Sequence, residues 1–242
     1  RRTGFEHNYF TDVYESRGEG ERESVFQRNL EILLKYKESG NLLDIGCAYG
    51  EFLQVAQNRF RVTGIDVSRH AISKAKTHVP EGTFKVVDTN GKTLPFTDMS
   101  FDAVTCFDVI EHLKSTEKLF SEIRRVLKKS GVLFLTTPGH GTVFSGFFGK
   151  IVPDDPTHIN KRYWRNWVNI LKSVGFTPVF LKGSLFYGFP PVSKLRELFA
   201  AWGLPIWRSI VFSPSLDTAA TIYMIFRKKW SHESQECTGI LE

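Results

Sequence analysis

The chain has 242 residues, of which 41% are hydrophobic, enough for one α/β domain with a proper core. Its 32 basic and 26 acidic residues are interspersed, so the net charge of +6 permits an anionic partner without requiring one. No apolar run approaches the roughly 18 residues of a membrane span, so a membrane-spanning helix is not expected. The three cysteines form neither a close pair nor a metal-binding spacing, which argues against a disulfide framework. Such cysteines fit a reducing compartment, and we expect the cytoplasm.

The first forty residues predict one helix after an irregular aromatic segment. Tyr9 and Tyr14 stand among charges and glycines without a helical spacing. From residue 22 to residue 37 the apolar positions recur on one helical face, and Gly40 follows as a stop signal.

Residues 42–52 predict a buried strand that turns sharply into a helix. An apolar run ends near Asp44, and Gly46 and Gly50 stand four positions apart in the turn. A dinucleotide fingerprint starting at Gly46 would need glycines where this chain has Ala48 and Glu51, so a pyrophosphate cradle is not favoured. The acidic residues beside the turn suit a cationic ligand, such as the ammonium and sulfonium of S-adenosylmethionine, better than a phosphate.

Two more predicted strands are each followed by an aspartate. Asp66 follows residues 61–65 and lies 66 − 44 = 22 positions after Asp44, near the roughly 20 typical of a ribose-binding acid in a βαβ unit. Asp88 follows residues 83–87, 88 − 66 = 22 positions further on. A carboxylate after the second strand can accept both hydroxyls of a ribose.

The pattern continues as alternating strands and helices to residue 137. Helices are predicted at residues 50–58, 68–77 and 116–129, and a fifth strand at residues 132–136. A long loop with an apolar segment at residues 143–148 leads to a helix at 161–174 and strands at 176–182 and 218–226. Between those strands lie a predicted helix at 192–202 and a second apolar segment at 204–212; a tail follows residue 230.

The expected fold is therefore α/β: a doubly wound, mostly parallel, seven-stranded sheet of Rossmann-like type, with an N-terminal helical cover and a C-terminal insertion. The chain would then divide into an N-terminal part at residues 1–40, the ligand-binding core at 41–137, a C-terminal part at 138–230 and a tail at 231–242. Such folds bind ligands at the carboxyl ends of their strands.

The core resembles the class I S-adenosylmethionine-dependent methyltransferases. The resemblance rests on Asp-Ile-Gly-Cys-Ala-Tyr-Gly at 44–50, Gly-Ile-Asp-Val-Ser at 64–68, Val-Val-Asp at 86–88 before Leu-Pro-Phe at 94–96, and Phe-Asp-Ala-Val-Thr-Cys-Phe-Asp-Val-Ile-Glu-His-Leu at 101–113. It implies S-adenosylmethionine as cofactor, with S-adenosylhomocysteine as product. It also implies that residues 1–40 cover the cofactor cleft and that residues 138–230 form the substrate side. Asp44 would contact the methionine end of the cofactor, Asp66 the ribose and Asp88 the adenine amino group. The cofactor-binding residues that it implies are Tyr9, Asp44, Gly46, Cys47, Ala48, Gly50, Asp66, Val67, Asp88, Thr89 and Phe107.

Two short stretches resemble the ubiquinone-biosynthesis type (type 11) of these small-molecule enzymes. One contains Glu111 and His112 after the fourth strand; the other runs from residue 154 to residue 160 and contains His158. The resemblance implies that some members of this group place a divalent metal near such carboxylates. Asp-x-x-Glu-His is not a specific metal spacing, however, so no metal is expected. His158 is the preferred general base because an imidazole accepts a proton near neutral pH, with His112 as the second candidate. The competing role for His158 is a cap at the start of the next helix.

The expected function is transfer of a methyl group to an oxygen or nitrogen of a small molecule. The sequence lacks the Asn- or Asp-Pro-Pro-aromatic signature of amino-directed nucleic-acid methyltransferases, and Cys106 lacks the preceding proline of a cytosine methyltransferase nucleophile. An RNA or protein methyltransferase and a cofactor-binding module without turnover remain as alternatives. We expect a monomer or homodimer. The apolar segments at 143–148 and 204–212 are expected to cover a partly apolar acceptor, with a subunit interface, a peripheral membrane contact or mutual packing as alternatives.

Overall fold

A computed structural model describes residues 19–140, 157–184, 216 and 221–229. The described chain contains one seven-stranded sheet with the strand order β3-β2-β1-β4-β5-β7-β6. The strands are β1 Gly40–Ile45, β2 Phe60–Asp66, β3 Thr83–Val86, β4 Phe101–Phe107, β5 Leu127–Pro138, β6 Phe176–Ser184 and β7 Thr221–Lys228. Strands β1 to β5 pair in parallel, and β7 runs antiparallel to both β5 and β6. The predicted mostly parallel, seven-stranded sheet is confirmed.

Helices cover both faces of this sheet. Those described are α1 Glu19–Leu34, α2 Glu51–Ala56, α3 Arg69–His78, α4 Thr116–Val126 and α5 Trp164–Ser173, with a 3₁₀ helix at Ile110–His112. Successive residues of a strand point to opposite faces, and the fully buried Leu42 and Leu43 of β1 accordingly belong to two different apolar clusters. One cluster includes α4 and α5; the other includes α1, α2 and α3. The sheet is therefore doubly wound, as expected.

Helix α4 is shorter than its sequence pattern predicts. The apolar stripe and the basic residues after it predicted a helix to residue 129, but the helix ends at Val126 and Leu127 already pairs with Phe101 as the first residue of β5. The Lys128 ammonium donates to an Asp102 carboxylate oxygen at 2.7 Å, and Lys228 donates to the Leu127 carbonyl at 2.7 Å. Contacts between distant parts of the chain thus override the local helix signal.

Other boundaries differ by a few residues. Helix α5 begins at Trp164 rather than at residue 161, α1 runs from Glu19 to Leu34 rather than from 22 to 37, and β3 ends at Val86. Asp88 therefore lies in the loop beyond β3 instead of closing the strand.

Several predicted features lie outside the described residues: Tyr9 and Tyr14, the apolar segments at 143–148 and 204–212, the helix at 192–202 and the tail. Among the helices that are described, none combines the length and the apolar character that crossing a membrane requires.

Candidate functional site

The chain reverses its direction of winding between β1 and β4. Strands β2 and β3 lie on one side of β1, and β4 and β5 lie on the other, so a crevice is expected where the carboxyl ends of β1 and β4 meet. Asp44, Asp66 and Phe107 stand at or next to the carboxyl ends of β1, β2 and β4. The topology brings these three predicted site residues to one edge of the sheet.

The turn after β1 is held by backbone hydrogen bonds and by left-handed conformations. The Gly46 and Cys47 amides both donate to the Ile65 carbonyl, at 2.8 and 3.0 Å, and the Gly50 amide donates to the Cys47 carbonyl at 2.8 Å. Gly46, Ala48 and Gly50 have φ values of 75°, 45° and 79°. These contacts explain why residues 46–50 leave the strand abruptly and enter α2.

Gly46 is required for a reason that the sequence did not reveal. The resemblance implies that Gly46 contacts the cofactor, and packing within the protein adds a separate requirement for glycine. In the structure a Cβ on Gly46 would overlap a Val109 methyl group, and the φ of 75° already favours glycine. The close neighbour at Gly46 is therefore the segment that follows β4.

Asp44 and Asp66 are two buried carboxylates in this edge. Asp44 is 3% exposed, and burial raises its pKa to about 7, against a hydrogen bond from the Thr105 hydroxyl at 2.7 Å that lowers it. Asp66 is 8% exposed, and burial raises its pKa although the Ala48 and Ser68 amides donate to its oxygens at 3.1 and 2.8 Å. Within the described residues neither carboxylate forms an ion pair. These two carboxylates fit a ligand that brings positive charge and hydroxyl groups, because a carboxylate pairs with cations and accepts hydrogen bonds.

Cys47 and Cys106 are buried free thiols at the same edge. Burial, followed by the charges of Asp66 and Asp44, raises the pKa of Cys47 well above its ordinary value. Burial likewise raises the pKa of Cys106, with Glu111 next among the causes. Both thiols therefore stay protonated and unreactive, as the sequence predicted for Cys106.

The residues predicted to contact the adenine differ in solvent exposure and in their hydrogen-bond partners. Asp88 has a side-chain exposure of 37%, pairs with Lys92 at 3.0 Å and accepts from the Asn90 amide at 3.0 Å. Val67 is half-buried and Thr89 is buried. Asp88 thus differs from Asp44 and Asp66 in already having a cationic partner.

The end of β4 is lined by an aromatic side chain and a strained aspartate. The Phe107 ring meets Phe52 and Phe134 edge to face, with centroids 4.9 and 5.0 Å apart. Asp108 follows with a φ of 52°, and its carboxylate accepts from the Thr136 hydroxyl at 2.9 Å. Non-glycine residues held in this conformation are found at functional sites more often than elsewhere.

Behind Asp108 the structure assembles a cluster of one carboxylate and three imidazoles. Donor atoms of the fully buried Glu111 and of the half-buried His112 and His158 lie within 4.8 Å of one another. The His112 and His158 rings are 4.8 Å apart, and His140 lies 5.4 Å from His158. The two candidate bases, 46 positions apart in sequence, thus become neighbours.

Backbone contacts hold the His158 segment against the 3₁₀ helix. The Asn160 amide donates to the Glu111 carbonyl at 2.9 Å, and the Asn160 side-chain amide donates to the Leu113 carbonyl at 3.0 Å. The alternative role of His158 as a helix cap is wrong, because α5 begins at Trp164, whose preceding residue Tyr163 makes no side-chain cap. His140 was not singled out from the sequence. Its position two residues beyond β5, at the ligand-binding edge, is the signal that could have found it.

Comparison with known proteins finds similarity to methyltransferases in each case. Residues 43–135 match the family described as "Methyltransferase domain". A Mycobacterium tuberculosis protein named "Probable S-adenosylmethionine-dependent methyltransferase" is 32% identical over 165 residues, which cover 67% of this chain and 56% of the relative. Botryococcene C-methyltransferase of Botryococcus braunii is 28% identical over 228 residues, covering 85% of this chain and 57% of the relative. The chain thus spans a little over half the length of these curated relatives.

A solved structure shares the fold over most of the described architecture. Haemonchus contortus phosphoethanolamine N-methyltransferase 2, in complex with S-adenosyl-L-methionine, matches with a TM-score of 0.62 at 23% identity. The match covers 92% of this chain and 59% of the other. At this level of identity the likeness is one of fold.

Proposed function

We propose that this chain, a class I S-adenosylmethionine-dependent methyltransferase of type 11, transfers the cofactor's methyl group to an oxygen or nitrogen of a small, partly apolar molecule. The observation that carries the proposal is the pair of buried carboxylates, Asp44 and Asp66, at the carboxyl ends of adjacent strands without a cationic partner among the described residues. A ligand with an ammonium and a sulfonium supplies the missing charge, and its ribose supplies hydroxyl donors.

The proposed cofactor contacts follow from this arrangement. The Asp66 carboxylate already accepts two backbone amides, and a carboxylate has about four lone-pair sites, so it can also accept from ribose hydroxyls. Asp44 supports the positive methionine end. Gly46, Cys47, Ala48 and Gly50 form the turn that passes the cofactor, while Val67, Asp88, Thr89 and Phe107 border its adenine and methionine parts. Tyr9 would cover it from the N-terminal segment.

The bound cofactor supplies an activated methyl group, so the protein's task is alignment and proton removal. As the acceptor atom bonds to the methyl carbon, the carbon–sulfur bond breaks and the acceptor loses a proton. We propose that His158 accepts this proton, with His112 beside it as the alternative base.

Relatives and composition support a small acceptor. The names of the two relatives above that specify an acceptor refer to botryococcene and phosphoethanolamine, one methylated at carbon and one at nitrogen. We propose that the segments at 143–148 and 204–212 roof the acceptor, which would favour a partly apolar molecule. Free buried thiols at Cys47 and Cys106 suit a reducing compartment, and the cytoplasm remains part of the proposal.

Calorimetry tests the cofactor half of the proposal directly. We expect S-adenosylmethionine to bind, and Asp66→Ala to weaken it by about 1.5–3 kcal/mol through loss of charge-assisted hydrogen bonds. Asp98→Ala is the matched control, because this carboxylate is 68% exposed and pairs with Arg125 away from the site. An unchanged affinity in Asp66→Ala would mean that the ribose lies elsewhere. Methyl transfer is then measured by mass spectrometry over a panel of amines, phenols and lipid-like acceptors.

A further inference from the structure

We propose that Thr105 of β4 is a positioning residue for cofactor binding, whose hydroxyl holds the Asp44 carboxylate in the charged form that meets the cofactor's positive methionine end. The inference rests on the proposed function and adds a residue that the sequence did not single out. Three features of the pair carry it: their register in the sheet, their hydrogen bond and their burial.

Thr105 and Asp44 lie opposite each other on neighbouring parallel strands. Asp44 of β1 pairs with Thr105 of β4, and the alternation of side chains turns both towards the face that α1, α2 and α3 cover. The Thr105 hydroxyl donates to Asp44 Oδ1 at 2.7 Å. A hydrogen bond to an ionised carboxylate is shorter and stronger than one between neutral groups. Because both residues belong to strands, the sheet itself sets this contact.

Burial makes this single donor matter. Thr105 is fully buried and Asp44 is 3% exposed. Burial disfavours the ionised carboxylate and raises the pKa of Asp44 to about 7, whereas the hydrogen bond from Thr105 acts in the opposite direction. Removing the hydroxyl should therefore raise the pKa of Asp44 further. Near neutral pH more of the cofactor-free protein would then carry the uncharged acid, which cannot pair with a cation.

The Thr105 hydroxyl can serve both protonation states of Asp44. Its oxygen also lies 3.5 Å from the Leu43 carbonyl oxygen, and a hydroxyl has one proton to donate and lone pairs that accept. When Asp44 is ionised, the hydroxyl donates to the carboxylate. When Asp44 is protonated, the carboxyl can donate to the hydroxyl oxygen while the hydroxyl proton turns to the Leu43 carbonyl. Asp44 can thus lose its proton when the cofactor binds and regain it when the cofactor leaves.

The other titratable groups that face Asp44 add no positive charge. The charge of Asp66, at the end of β2, raises the pKa of Asp44, and burial raises the pKa of Asp66 itself. The thiol pKa values of Cys47 in the turn and of Cys106 on the opposite face of β4 are raised well above their ordinary range, so both thiols stay neutral. Below about pH 7, cofactor binding should therefore expel the Asp44 proton into solvent. The affinity should rise with pH and level off above that value.

Calorimetry of Thr105→Val with S-adenosylmethionine at pH 6 and pH 8.5 tests the inference, because valine keeps the shape of threonine and removes the hydroxyl. We expect binding about 10-fold weaker than in the unchanged chain at pH 6, and within about 2-fold of it at pH 8.5, where Asp44 is ionised in both proteins. Thr105→Ser keeps the hydroxyl and should restore the pH profile. Thr116→Val is the matched control, because Thr116 is also fully buried but contacts Glu117, and it should bind as the unchanged chain does.

A second measurement does not need the cofactor. In NMR spectra of isotopically labelled aspartate carboxyl groups, assigned with Asp44→Asn, Asp44 should titrate at a higher pH in Thr105→Val than in the unchanged chain. Equal losses of affinity at both pH values, an unchanged titration of Asp44, or no recovery in Thr105→Ser overturns the positioning role while leaving the proposed function intact. Absence of cofactor binding by the unchanged chain would instead refute the proposed function together with this role. Circular dichroism checks folding, and Thr105→Ala replaces Thr105→Val if the valine variant does not fold.

Discussion

Replacing Asp44 by asparagine should make the cofactor-free protein more stable while removing its cofactor affinity. Asp44 lies next to the carboxyl end of β1 and is 3% exposed, and burial raises its pKa from 3.8 to about 7. At pH 8 the unchanged protein must keep a charge there that its surroundings disfavour. Asparagine is close in shape, carries no charge and can still accept from the Thr105 hydroxyl.

The size of the effect follows from the pKa. Between about pH 4 and pH 7 the folded chain binds more protons than the unfolded chain, so this carboxyl makes stability fall as the pH rises through that window and level off above it. At about 1.36 kcal/mol per pKa unit, the penalty reaches about 4 kcal/mol at pH 8, which is an upper bound. At pH 5 it is smaller by roughly 3 kcal/mol, corresponding to about two pKa units.

Urea unfolding of both proteins at pH 5 and pH 8 measures this. We expect Asp44→Asn to be the more stable protein at pH 8, with a much smaller advantage at pH 5, and calorimetry to show weakened S-adenosylmethionine binding. Titrating groups that do not interact with the Asp44 charge are common to both proteins and cancel in the difference. Asp98→Asn, at an exposed carboxylate, should show no such pH-dependent gain. If Asp44→Asn and the unchanged protein are equally stable, or differ by the same amount at both pH values, Asp44 does not carry a buried charge that destabilises the cofactor-free protein.

Two further predictions concern the acceptor side and the turn. His158→Ala should lower turnover by about 10²- to 10⁴-fold with cofactor affinity unchanged, whereas a large effect in His112→Ala alone would exchange the two roles. Gly46→Ala should destabilise the fold by about 1–3 kcal/mol in urea titrations, because its φ is left-handed and its Cβ meets Val109. Adding Val109→Ala should recover part of that loss, and no recovery would mean that the backbone conformation alone requires glycine.

The local sequence was enough for the sheet and for its ligand-binding edge. Apolar runs that end near Asp44 and Asp66, each followed by a helical pattern, predict parallel strands, because parallel neighbours need a crossover connection and that connection is usually a helix. Parallel strands align their carboxyl ends, so the two acids had to meet. The family resemblance then supplied the cofactor.

What the local pattern could not provide was the outcome of contacts between distant residues. The end of α4 at Val126 depends on Lys128 meeting Asp102 and on Lys228 meeting the Leu127 carbonyl, and neither contact leaves a trace in the helical periodicity. The pKa of Asp44 likewise depends on how deeply the assembled sheet buries it.

The grouping of Glu111, His112, His158 and His140 was also decided only by the tertiary structure. Each residue looks ordinary in its own stretch, and the sequence assigned His158 either a catalytic or a capping role. Hydrogen bonds from Asn160 to Glu111 and Leu113 bring the second stretch against the first, and β5 delivers His140 to the same edge. Sequence spacing fixes the distance between two side chains only within one helix or strand. These four residues come from three separate segments, so the distances between their side chains are set only when the chain folds.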